Sequence, residues 1–216
     1  MRVLAVDGSD IQIATNPDDL SSFHPGANGQ KPYNLLHLNA LFDLKQKIYT
    51  DAIIQGRIDW NEHSALQEMV DRSNIRKALV IADRGYESYN NMAHIQEKGW
   101  YFLIRIKDGR TGIKEGLVLP KLDEFDKNIS LKLTRKQTKE TKELFKDKNH
   151  YRFIPSTVTF DYLPQKLRKH DPTEFYTLNF RIVRFKVTDE LYETLLTNLD
   201  SDAYPPNKLK ELYASR

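Results

Sequence analysis

Ala78-Leu79-Val80-Ile81-Ala82-Asp83-Arg84-Gly85 decides the fold: five apolar residues without a break, then a carboxylate, a cation and a glycine. An apolar run of this length bounded by turn formers has the signature of a strand buried on both faces, because a half-exposed strand would alternate. Such a strand needs helices above and below it. Upstream, Asn61 is placed to cap a helix in which Leu66, Met69 and Val70 fall at i, i+3, i+4. Downstream, Ser88 to Lys98 reads as a second helix with Met92 and Ile95 inward and Gly99 just past its end. Trp100 to Ile106 is the next strand, parallel to Ala78–Ala82 by the usual crossover.

The N-terminal quarter reads as an antiparallel meander. Val3-Leu4-Ala5-Val6 is a short apolar strand ended by Asp7-Gly8-Ser9, and Ile11-Gln12-Ile13 alternates, so strand, tight turn, strand is expected. Past a loop rich in Asn, Pro, Asp and Gly, the stretch from Leu35 to Leu44 puts Leu36, Leu38, Ala40, Phe42 and Leu44 on one face, with Ile48 to Gln55 as hairpin partner. A meander followed by helix, strand, helix, strand is the order of an RNase H-like α/β domain, in which the first and fourth strands lie side by side. Residues 108–178 break the rhythm and are expected to form a β-rich insertion after the fifth strand, with strands near Ile129–Leu133 and Thr157–Tyr162. The core is then 1–107, resumed over 179–216 by strands at Phe175–Val187 and Glu193–Leu199. Last comes a helix opened by Tyr204-Pro205-Pro206, in which Leu209, Leu212, Tyr213 and Arg216 form one stripe. Trp60 and Trp100 are expected in the core.

Composition excludes several classes. The absence of Cys removes disulfides, thiolate zinc sites and a Cys nucleophile, and fits a reducing cytosol. No apolar run is long enough to span a membrane, and Met1 to Asp7 is too short and too soon charged for a signal peptide, so a cytoplasmic protein is expected. The net charge of +3 says little about partners, but Lys127 to Arg152 carries nine basic residues against three acidic, among them Lys136 and Lys139. Such a segment suits a phosphate backbone, and equally a solvated face.

The chemistry lies in two carboxylates. Asp7 and Asp83 each end a short apolar strand and each is followed closely by Gly. On adjacent strands they would face one another, and two anions at close range are reconciled by a divalent cation, for which hard oxygen ligands select Mg²⁺ or Mn²⁺. That supports in-line phosphoryl transfer, with metal ions activating the nucleophile and stabilising the leaving oxygen. Either Asp alone is as readily a turn cap; the pair in this topology favours the metal.

Val6-Asp7-Gly8-Ser9-Asp10, Asn28-Gly29-Gln30-Lys31-Pro32, Ile81-Ala82-Asp83-Arg84-Gly85-Tyr86-Glu87 and Leu209 to Arg216 resemble successive blocks of the bacterial insertion-sequence transposases of the "four" family, whose catalytic domain is the transposase DDE domain. The resemblance implies an enzyme that cuts and joins double-stranded DNA at terminal inverted repeats with Mg²⁺, as a dimer on DNA, in the bacterial cytoplasm at the nucleoid. It implies Asp7 and Asp83 as catalytic metal ligands, with Tyr213 and Arg216 on the DNA backbone, as the first half of a Tyr-x2-Arg-x3-Glu-x6-Lys signature. The Glu falls four residues past Arg216. With two carboxylates of three, and no DNA-binding region before the first strand, the chain is expected to be a fragment incomplete at both ends, weak in metal binding and inactive in strand transfer alone. Arg84 and Tyr86 are candidates for phosphate contact, while His24 and His37, lacking partners at ligand spacing, are expected to be structural. Two other readings remain: a DNA-binding remnant without nuclease chemistry, and an actin-like ATPase, for which Asp83-Arg84-Gly85-Tyr86 is a poor phosphate loop.

Overall fold

The computed structural model describes residues 1–107, 112–166, 168 and 170–216; the expected 107/108 boundary abuts residues 108–111, which lie outside that set. Strands β1 (Arg2–Ile13), β2 (Phe23–His24), β3 (Tyr33–Asp43), β4 (Ile48–Gln55), β5 (Ala78–Ala82), β6 (Tyr101–Ile106), β7 (Phe125–Thr134), β8 (Tyr151–Phe153), β9 (Tyr176–Lys186) and β10 (Tyr192–Thr197) form one mixed sheet. Its order is β2-β3-β1-β5-β6-β10-β9-β7-β8, with β4 also paired to β3. The run β4-β3-β1-β5-β6, antiparallel across the first three strands and parallel from β1 to β6, is the RNase H-like order.

Helices α1 (Glu62–Arg72) and α2 (Tyr89–Glu97) cover one face, and α4 (Pro206–Ala214) lies on the other. The sequence signals account for their ends. Asn61 caps α1 through Ser64 N, Ser88 caps α2 through Asn90 N, and Gly99 takes the left-handed conformation at φ +71° past α2. Pro205 and Pro206 start α4, where a missing N–H costs nothing. Every residue of β5 is buried, because α1 and α2 press on Ala78, Val80 and Ala82 while the α4 side covers Leu79 and Ile81. Among the described residues no helix is long and apolar enough to cross a membrane.

Four expectations need correction. No turn interrupts β1 at Asp7-Gly8-Ser9; the strand pairs with β3 continuously from Leu4↔Asp43 to Ile13↔Asn34. Gly8 is there for close approach, since a Cβ on it would meet His37 Nε2 at 2.5 Å and Glu62 Oε1 at 2.6 Å. On β3 the better buried face is the polar one: His37, Asn39 and Asp43 are buried with Leu41, whereas on the other face, apart from Asn34 and Ala40, Leu36, Leu38 and Phe42 remain half-exposed. Thr157–Tyr162 is not a strand. Trp60 is 46% exposed and stacks on His37 at 4.3 Å, while Trp100 is buried as expected. The segment expected as an insertion contributes β7 and β8 to the same sheet through antiparallel pairing of β7 with β9. The short helix α3 (Lys139–Leu144) lies between those two strands in sequence.

Candidate functional site

Strand parity places the two carboxylates. Side chains alternate along β1 and β5, with Leu4, Val6, Val80 and Ala82 packed under α1 and α2, and Val3, Leu79 and Ile81 packed with Leu209 of α4. Asp7 shares the parity of Val3. Asp83 shares that of Leu79 and Ile81, because its backbone stays extended at φ −83° and ψ −177°. The parallel register, Val3↔Leu79 and Ala5↔Ile81, continued by two residues sets Asp7 beside Asp83 on the α4 face. Each carboxylate spends one oxygen on a backbone amide that follows it: within β1 Gly8 N donates to Asp7 Oδ1 at 3.0 Å, and past the end of β5 Gly85 N donates to Asp83 Oδ1 at 2.8 Å. The Asp7 side chain is 73% exposed.

The end of α4 reaches the same place. Arg216 Nη2 lies 3.4 Å from Asp7 Oδ2, and Tyr213, packed against the α4-side core, lies under the Arg105 guanidinium of β6 at 5.9 Å. Burial raises the Tyr213 pKa, against the opposing charges of Arg105 and Arg216, so the phenol stays a neutral donor. Tyr86 is 1% exposed, and its hydroxyl has no hydrogen-bond partner among the described residues. Burial pushes its pKa strongly upward, and the charges of Glu62, Asp7 and Asp83 push it further, with Arg216 opposing. One phenol thus senses both strand-end carboxylates, a carboxylate from α1 and the arginine beyond α4.

Beneath Gly8, His37 bridges two acids, with Nδ1 2.7 Å from Asp10 and Nε2 3.0 Å from Glu62. His24 stacks on Tyr33 at 4.9 Å. Asp7 and Asp83 fit two ligands of a hard divalent cation, being oxygen donors on one face, each with one oxygen fixed by a backbone amide. Among the described residues no cluster of three or more His, Cys, Asp or Glu groups is gathered to complete such a set.

The basic run divides: Lys132, Lys139, Lys142, Lys146 and Lys148 are exposed, while Arg135 and Lys136 are built into the fold. Lys136 is 6% exposed and donates to the carbonyls of Arg168 and Asp171 at 2.6 and 2.7 Å, a correction to its expected place on DNA: an ammonium sunk between carbonyls does not face a phosphate. Arg135 is buried among the carbonyls of Pro155, Val158 and Phe160. Lys139, at the start of α3, stays exposed, as does Arg84 beside Asp83. Arg105 and Glu62 were not read as site residues, and Tyr86, a candidate for phosphate contact, is instead buried at 1% exposure. For Arg105 a signal existed: a cation at an inward position of Tyr101–Ile106, a strand otherwise apolar after Tyr101, implies a specific partner.

Among solved structures, the piggyBac transposase in a synaptic complex with hairpin DNA is 12% identical, with the whole of this chain aligned at a TM-score of 0.46. The chain spans 39% of that protein's length, and a likeness at this level carries no conclusion about activity. No curated protein sequence matches significantly. Over its full length, residues 1–216, the sequence matches the family described as "Transposase DDE domain", and the chain therefore belongs to that family.

Proposed function

We propose that this chain is the central part of a DDE transposase that cuts and joins double-stranded DNA at the ends of a bacterial insertion sequence, in the cytoplasm and as a dimer on DNA. The observation that carries this reading is the shared parity of Asp7 and Asp83 on the face where Arg216 arrives. Asp7 and Asp83 are the ligands of Mg²⁺ or Mn²⁺, oriented by the amides of Gly8 and Gly85. The bound ion supplies Lewis-acid stabilisation of the phosphoryl oxygens and a more acidic nucleophile. Arg216, paired to Asp7 from a distance of 3.4 Å, exchanges that carboxylate for a DNA phosphate. Tyr213 keeps its proton as a donor to the backbone, its ring held by Arg105. Arg84 and Lys139 contact the DNA strand outside the reacting centre. Residues 108–178 are the insertion within a core of 1–107 and 179–216. The resemblance implies a third carboxylate, the signature's Glu, and Asp7 and Asp83 without it hold the ion weakly and transfer no strand.

The test is thermal unfolding with Mn²⁺. At free Mn²⁺ about tenfold over Kd the folded chain gains about 1.4 kcal/mol. Asp83→Asn relieves the repulsion with Asp7, so its metal-free form melts no lower than the parent, while the gain from Mn²⁺ disappears. A parent chain that Mn²⁺ leaves unchanged overturns the metal assignment. Robust Mg²⁺-dependent nicking by residues 1–216 overturns the claim that a ligand is missing.

A further inference from the structure

A cleft of about 570 Å³ opens beside Asp83, between the start of α2 and the turns at 112–113 and 158–159. It has the size that takes a small ligand or one unit of a polymer, and it is far too small for a duplex. Arg84 and Lys107 line it; both are exposed, and neither enters an ion pair among the described residues.

The third donor follows from the hydrogen-bond network. Asn91 is fully buried, and its Nδ2 donates to Tyr86 O at 3.0 Å, which fixes that end of the amide as the donor end. The same Nδ2 lies 2.7 Å from His63 Nδ1, which must therefore accept, leaving the proton on Nε2 of a ring that lines the cleft. Glu87, the carboxylate on this wall, is committed through Oε1 to the amide of Ile113 at 2.7 Å. Guanidinium, ammonium and imidazole N–H suit a phosphate, and the aromatic side chains of His63 and Tyr89 line the same cleft.

We propose that this cleft binds one nucleotide unit of an unpaired DNA strand, its phosphate held by Arg84 and Lys107, so that the strand leaving the Asp83 side is gripped once it is no longer paired. This rests on the transposase reading. The experiment is fluorescence anisotropy of the 216-residue chain with a labelled oligothymidylate of about 16 nucleotides and with a labelled duplex of the same length, each across a salt series. Arg84→Gln/Lys107→Gln removes two phosphate contacts, so the slope of log K against log salt for the single strand becomes shallower by about 1.4. The duplex slope becomes shallower by less, about 0.9, the share of Arg84 alone. Lys45→Gln/Lys77→Gln makes the same charge change at the opposite end of the strands, beside the β3–β4 turn and the start of β5, and leaves the single-strand slope in place. A parent chain that binds neither DNA defeats the DNA-processing reading itself. A parent that binds, with the single-strand slope unmoved in the Arg84/Lys107 variant, defeats the cleft alone. Equal loss in the Lys45/Lys77 variant, or an equal loss on duplex, also overturns it.

Discussion

Replacing Arg181 with Ala is expected to cost about 4 kcal/mol and to loosen α4 before the rest of the sheet. Arg181 is 3% exposed on β9, and its guanidinium ties three elements together. Nε donates to Asp126 Oδ1 of β7 at 3.0 Å and Nη2 to Oδ2 of the same carboxylate, while Nη1 donates to Leu199 O at 2.9 Å. Both terminal nitrogens also reach Tyr204 O, at 3.3 and 3.2 Å, on the segment that leads into α4. Removing one partner of a buried pair costs about 3–5 kcal/mol, because the other charge is left alone. Asp126 keeps 26% exposure, so water reaches it and the pair term sits near the lower bound. The two stranded carbonyls add roughly 1 kcal/mol or more.

With an m-value of about 2 kcal/mol/M, a loss of this size moves the urea midpoint down by about 2 M. Arg181→Ala/Asp126→Ala removes the stranded carboxylate and should recover part of the loss, which a double-mutant cycle reads directly. Hydrogen exchange locates the effect: amides of 206–214 lose protection first, whereas α1 and α2 hold theirs. A cost under about 1 kcal/mol, or a double variant no better than the single, refutes the idea that this guanidinium anchors the helix carrying Tyr213 and leading to Arg216.

Gly8→Ala should destabilise by about 1–3 kcal/mol, since the new methyl meets His37 Nε2 and Glu62 Oε1 inside contact distance; thermal melts that do not move would show that the start of α1 yields freely. In acid, the contact between α2 and the 155–165 segment should fail early. Burial alone would raise the Asp161 pKa, but hydrogen bonds from Asn90 and His94, with the His94 and Arg135 charges, hold it below its ordinary value. A carboxylate depressed in the folded state contributes stability above its unfolded pKa near about 4, and that contribution is lost as pH falls through the folded value. His94, with Nδ1 2.9 Å from Asp71 and Nε2 2.8 Å from Asp161, supplies much of the depression. His94→Gln should therefore flatten the fall in melting temperature between about pH 6 and about pH 3, and an unchanged acid limb would contradict the assignment.

How much of this was legible in the sequence depends on how local each cause is. β5 declared itself because burial on both faces forces an unbroken apolar run, and α1, α2 and α4 declared their ends through Asn61, Ser88, Gly99 and the Pro205-Pro206 pair. β3 was legible as a strand but not as to its better buried side. Alternation fixes which residues share a face, and burial of the polar set depends on distant partners: Gln55 for Asn39, Arg2 for Asp43, Asp10 and Glu62 for His37. The glycine of Asp7-Gly8 misled for the same reason. A turn and a close approach both demand a missing side chain, and only the tertiary fold brings His37 and Glu62 against that position. Asp7 and Asp83 were readable as a pair because both obey one local rule, whereas Glu62 and Arg105 join the candidate site only through packing.

The two faces of β1 and β5 then explain why the site sits at this end of the sheet. Up to Val6 and Ala82 both strands are sealed, by α1 and α2 on one side and the α4-side core on the other, and a charge there would be buried without a partner. One residue further the cover ends, and the first outward position on each strand is an aspartate. Beneath them Gly8 admits the His37–Glu62 pair, so carboxylates approach from both faces, and Tyr86 lies buried within their field with its proton retained. Arg216 is the cation drawn in from beyond α4, and its 3.4 Å contact with Asp7 compensates one charge of that set. Asp7, Asp83 and Glu62 leave negative charge in excess at this end of the sheet, and a small divalent cation is the ligand that would offset it, as the metal role proposed for Asp7 and Asp83 requires.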